Sequence, residues 1–125
     1  MKVNAETQGV INDFFREHVD ESYRTIMNAI RLSVEHTDEH RRAIFEVCNC
    51  LLKHNIPFWT EVRLKNGSIP DVVCPTHIRP FVEVLCTETP EMFNERKLVR
   101  YEPQFTSSDF IFVDAKVPFT DEMIF

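Results

Sequence analysis

Two carboxylates stand in stretches that are otherwise built of apolar residues: Asp71 opens the run "DVVC" directly after Pro70, and Glu83 sits inside "PFVEVLC". A carboxylate in an apolar strand costs free energy unless a partner offsets its desolvation, and a cation is a common solution. If the two strands are neighbours, both side chains can project to one edge and hold a hard divalent cation. Oxygen ligands with several waters retained suit magnesium or manganese. Such an ion lowers the pKa of a bound water, stabilises charge on phosphoryl oxygens and orients a scissile bond, which is the chemistry of phosphodiester cleavage. Each residue alone also has an ordinary explanation. Pro-Asp is common turn chemistry, and one Glu among apolar neighbours suits the wet face of an edge strand. The pair carries the reading.

The elements that must position this pair follow from the hydrophobic period. "AETQGVINDFFREHV" carries Val10, Ile11, Phe14 and Phe15 at helical spacing, and "DESYRTIMNAIRLSVEH" repeats the pattern with Tyr23, Ile26, Met27, Ile30 and Val34. A third helix is predicted over "TDEHRRAIFEVCNCLLKHN", capped by Thr37 or Asp38, striped by Ile44, Val47, Cys48 and Leu51, and ended near Asn55 before Pro57. The period then shifts to two. "PFWTEVRL" reads as a strand, "KNG" as a hairpin turn, "IPDVVC" as the partner strand and "RPFVEVLC" as a third. "ETPEMFNERKLVRYE" returns to helix with Pro90 in its first turn, and "DFIFVDA" is a short apolar run suited to a strand covered on both faces. The order ααα-βββ-α-β predicts an α/β sheet in which a hairpin leads to a third strand and a crossover helix sets the last strand parallel to it.

Composition bounds the classes available. A chain of 125 residues, 43% hydrophobic and 27% charged, suits one domain over 1–125, and two glycines with seven scattered prolines argue against a disordered or collagen-like chain. No stretch approaches the roughly 18 consecutive apolar residues of a spanning helix. The N-terminus lacks a basic region followed by an apolar core. The expectation is an intracellular, cytoplasmic protein with no membrane partner. Cys48, Cys50, Cys74 and Cys86 then read as reduced thiols, mostly core filler, because Cys48 and Cys50 are spaced wrongly for a paired-cysteine zinc site. A net charge of -6 disfavours non-specific polyanion binding. A local basic surface is still open, since Arg41, Arg42, Lys53, Arg63, Lys65, Arg79, Arg96, Lys97 and Arg100 concentrate in the centre of the chain.

With strand, turn and helix in this order, "IPDVVC…FVEVL" resembles the core of the PD-(D/E)xK nuclease superfamily, the restriction-endonuclease-like fold. The resemblance covers about Asp38 to Ala115. It implies a nuclease-like core over 37–125, preceded by a helical N-terminal addition over 1–36. It assigns Asp71 and Glu83 as catalytic metal ligands, the Val84 carbonyl as a further ligand and Mg2+ or Mn2+ as cofactor. One position departs from the pattern: the third motif reads Glu-Val-Leu, with Leu85 where the family usually carries lysine. Some members are similar in having that lysine on the next helix, where this chain offers Lys97, with Tyr101 one turn further on the same face. Glu61 in the hairpin strand is a candidate extra ligand, although Glu61, Arg63 and Lys65 alternating with Val62 and Leu64 also fit a plain wet face. Glu39 and Glu46 occupy a helix where the family often carries a further Glu, with Glu46 roughly opposite the apolar stripe, and His40 on that stripe could face the site.

The implied function is a small metal-dependent endonuclease that hydrolyses DNA, with Arg63, Lys65, Arg100 and Tyr101 as nucleic-acid contacts. The alternative is a catalytically inactive nucleic-acid-binding or protein-interaction module on the same fold, motivated by Leu85 and the acidic net charge. Phe14, Phe15, Tyr23, Ile26 and Ile30 would serve either the core or a homodimer interface. The resemblance would also suit a viral chain acting in its host cell, a plasmid or a defence system.

Overall fold

The first helix, α1 (Ala5–His18), begins where the Asn4 side chain accepts the Thr7 amide at 2.8 Å, and it turns Ile11 and Phe15 inward while Val10 stays exposed. The computed structural model describes residues 2–23, with only the backbone of Tyr23, together with residues 26–101 and 103–125. The Tyr23 side chain, Arg24, Thr25 and Glu102, which fall in the predicted helices, lie outside the described residues.

The expected second helix does not form among the described residues: after a 3-10 turn at Glu21–Tyr23, residues 26–36 are irregular, with turns at 27–28 and 34–35. Tertiary bonds explain the difference. Asn28 takes a left-handed conformation (φ 61°), its amide donates to the Phe58 carbonyl at 2.8 Å, and its side-chain oxygen accepts the Phe58 amide at 3.1 Å. Thr60 Oγ1 donates to the Ala29 carbonyl and accepts the Arg31 amide. The segment thus lies along the first strand and occupies donors and acceptors that an edge strand would otherwise leave open.

Helix α2 (Asp38–Lys53) starts at the expected cap, Thr37, and buries Ala43, Ile44, Val47, Cys48, Cys50 and Leu51. It ends just before Asn55, whose φ of 57° carries the chain out of the helix. The strands are β1 (Trp59–Thr60), β2 (Val72–Val73), β3 (Phe81–Leu85) and β4 (Phe110–Asp114), in that order across the sheet. The β1-β2 and β2-β3 pairs are antiparallel and β3-β4 is parallel, as predicted. The hairpin strands are shorter than expected because Glu61 adopts φ 55° and leaves the ladder, while Leu64 bridges to Val19 instead. Val62 and Leu64 are nevertheless buried and Glu61 and Lys65 exposed, as the alternation implies.

Residue parity assigns each side chain to a face. Val72, Val82, Val84, Ile111 and Val113 pack with α2, whereas Trp59, Val73, Phe81 and Phe110 pack with α1 and α3 (Pro90–Arg96). The sheet is therefore covered on both sides, which accounts for the continuous apolar run of β4. Phe14, Phe15 and Ile30 pack against these cores, while Ile26 remains exposed. Cys48, Cys50 and Cys74 are buried, and burial pushes the Cys48 and Cys74 thiols up to about 12. Among the described residues no helix is long and apolar enough to cross a membrane.

Phe81 is fully buried against the rings of Phe14, Tyr101, Phe105 and Phe110. Phe81→Ala is expected to lower unfolding free energy by about 3–5 kcal/mol. Val10→Ala, at an exposed site, should stay within about 0.5 kcal/mol. Urea unfolding of the two variants checks the assignment of faces.

Candidate functional site

The site is built where β2 begins. The register Val72↔Val82 and Val73↔Phe81 sets Asp71 opposite Glu83 as the next pair, on the face shared with Phe81 and α3. By the same register the Val84 amide stands opposite Pro70, yet it donates to Asp71 Oδ2 at 2.8 Å. The Asp71 side chain thus takes a ladder donor and terminates the β2-β3 pairing. Peptide groups alternate along a strand. The Leu85 carbonyl accepts the Ala115 amide on the β4 side, so the Val84 carbonyl faces the β2 side, where Asp71 lies.

Glu83 is only 8% exposed. Burial first, and then the charge of Asp71 beside it, raise its pKa well above the ordinary carboxylate range; the Lys97 ammonium opposes this. Burial and the neighbouring carboxylate thus favour the protonated form of Glu83. An acid pair with one member buried is also an arrangement in which a divalent cation can take a proton's place, and the oxygen donors fit such an ion.

Around the pair is a cleft of about 510 Å³ whose lining includes His36, His40, Lys97, Arg100 and Tyr101 as well as Asp71, Glu83 and Val84. Helix α3 ends at Arg96, and Lys97 leads into a 3-10 turn at Leu98–Arg100, so Lys97 and Tyr101 do not share one continuous helix as predicted. The turn still carries both residues to the cleft. Lys97 Nζ is 3.3 Å from Glu88 Oε1 and half exposed. Tyr101 is buried among Phe81, Phe93 and Phe110, and burial and the nearby acids hold its phenol neutral, with Ser68 acting in the opposite sense.

The α2 side contributes groups with a weaker sequence signal. His40 Nε2 lies 3.4 Å from Asp71 Oδ1, and the His36 ring stacks on His40 at 3.9 Å. Ligand atoms of His36, His40 and Asp71 all fall within 4.8 Å of one another, and His36 Nδ1 is buried without a hydrogen-bond partner. His36 was missed because it belongs to a segment read as helix. Its proximity to His40 arises from the turn before the Thr37 cap, which periodicity does not reveal.

The other predicted residues lie elsewhere. Glu61 is exposed in a neighbouring hollow that shares His36, Ile69 and Asp71 with the cleft wall, but it does not line the cleft. Arg63 and Lys65 sit at the end of α1: the Arg63 carbonyl accepts the Asp20 amide, and Lys65 Nζ donates to the Arg16 carbonyl at 2.5 Å. Glu46 lines a separate cavity and Glu39 is exposed. Leu85 is buried, 6% exposed. Comparison with family models, with curated proteins and with solved structures finds no match to this chain.

Because the folded state raises the Glu83 pKa, the folded chain holds a proton that the unfolded chain has released, and stability falls as pH rises from the ordinary carboxylate range through the folded value. In metal-free protein, Glu83→Gln should abolish this loss and be more stable than wild type at neutral pH. Urea unfolding across a pH series reads both effects, and an unchanged pH profile in the variant would exclude Glu83 as its source.

Proposed function

We propose that the chain is a metal-dependent nuclease of the restriction-endonuclease-like class that hydrolyses DNA phosphodiester bonds in this cleft. The observation that carries the reading is the Asp71-Glu83 pair at a sheet end, with Glu83 buried and cationic side chains on the facing wall. The three antiparallel-paired strands, crossover helix and parallel fourth strand support the fold assignment. Asp71, Glu83 and the Val84 carbonyl would hold Mg2+ or Mn2+, and the His40 nitrogen beside Asp71 would suit magnesium less than manganese. When bound, such an ion supplies an activated water and stabilises negative charge on the phosphoryl group.

The chain's own side chains do the remaining work. Lys97 and Arg100 neutralise the phosphate that enters the cleft. Lys97 also stands in for the lysine that Leu85 replaces, and its contact with Glu88 must yield when a phosphate binds. The neutral Tyr101 hydroxyl is a donor to a phosphate or sugar oxygen. Arg63 and Lys65, away from the cleft, would at most meet a long substrate along the α1 end. The buried Leu85 and the Lys97-Glu88 pair favour a second reading, a module that binds nucleic acid without cleaving it.

Purified protein incubated with single-stranded, duplex and branched DNA should cleave at least one of them with Mn2+ or Mg2+. Asp71→Asn should reduce the rate at least about 100-fold, the scale of loss for a group acting on transition-state charge. Lys97→Ala should also slow cleavage. Binding without cleavage would support the second reading, and cleavage indifferent to Asp71→Asn would sink the first.

A further inference from the structure

We propose that Cys50, His54 and Asp121 form a second metal site, taking zinc(II), that fastens the C-terminal turn to the end of α2. The proposal is independent of the cleft. Cys50 and His40 are separated by about 15 Å along the α2 axis, at about 1.5 Å of rise per residue.

Cys50 and His54 are one helical turn apart and so share a face of α2. Asp121 opens the 3-10 turn Asp121–Met123, which the chain brings back against that face. Ligand atoms of all three lie within 4.8 Å of one another, and His54 Nε2 is 3.4 Å from Asp121 Oδ2. A tetrahedral zinc with bonds of about 2.0–2.3 Å needs donors about 3.5 Å apart. The imidazole-carboxylate pair already meets this, and the thiol must close by no more than about 1.3 Å.

Thiolate, imidazole and carboxylate are the three donor types zinc favours, and three protein donors leave a fourth position for water. Cys50 and Asp121 both open on a cavity of about 600 Å³, which gives that water room. The turn is also held without metal. Ile124 is fully buried in the α2 core, and the Phe125 ring lies 4.3 Å from that of His54. The donors are therefore pre-positioned by packing, and binding exchanges the Cys50 thiol proton, released to solvent, for the cation. Burial and Asp121 push that thiol up to about 11, which sets the competition the metal must win.

Cobalt(II) added to the whole metal-free chain, residues 1–125, is the probe, because only a thiolate ligand gives an intense near-ultraviolet charge-transfer band. One equivalent should produce the band, and zinc(II) should displace it. Cys50→Ser should abolish it with circular dichroism unchanged. His54→Gln and Asp121→Asn, both at exposed positions, should weaken cobalt binding at least about tenfold, since loss of even an outer partner of a metal ligand costs that much. Asp71→Asn should leave the band intact, so failure of the cleft reading does not touch this one. No band in wild type, a band that survives Cys50→Ser, or one lost in Cys86→Ser, whose thiol lies near His40, would overturn the proposal.

Discussion

The hydrogen bond from the Val84 amide to Asp71 Oδ2 is the contact on which the rest of the site depends. It ends the β2-β3 ladder with a carboxylate in place of a carbonyl and fixes that carboxylate against the sheet. The antiparallel register then leaves Glu83 as the opposite residue, buried on the face that α3 covers. Two acids in one desolvated corner repel, so the fold requires a counter-charge there. In the free protein burial and the charge of Asp71 favour a protonated Glu83, and a divalent cation would supply the counter-charge in the proton's place.

The surroundings follow from the same constraint. The wall after α3 brings Lys97 and Arg100 to the cleft, and the start of α2 brings His40 within reach of Asp71. Aromatic packing of Phe81, Phe93 and Phe110 about Tyr101 excludes water beneath the acids and makes their charge expensive. The two apolar cores flanking the sheet hold α2 and the α3 turn at its end, so groups from both layers converge on one cleft.

Much of this was legible in the sequence because it rests on period and local chemistry. The apolar run of "FVEVL", the Thr37 cap and the apolar run of β4 each specify their elements through nearby residues. Residues 26–36 were not legible, because Ile26, Met27 and Ile30 mimic a helical stripe while Asn28 and Arg31 are held by bonds to Phe58 and Thr60, some thirty positions away. The left-handed turn at Glu61 likewise depends on tertiary context, and it moves that carboxylate out of the cleft. In the site, the Asp71-Glu83 pairing was readable from strand order. The approach of His36 and His40 was not, since it depends on how the chain enters α2.

The account centres on one cation binding at the Asp71-Glu83 pair. Isothermal titration of Mn2+ into wild type and into Glu83→Gln tests this most directly, because the variant keeps the side-chain shape and removes the charge. The account predicts one manganese site in wild type at the cleft, with affinity reduced at least about tenfold in Glu83→Gln. Equal manganese affinity in the two proteins, or none in wild type, would contradict it.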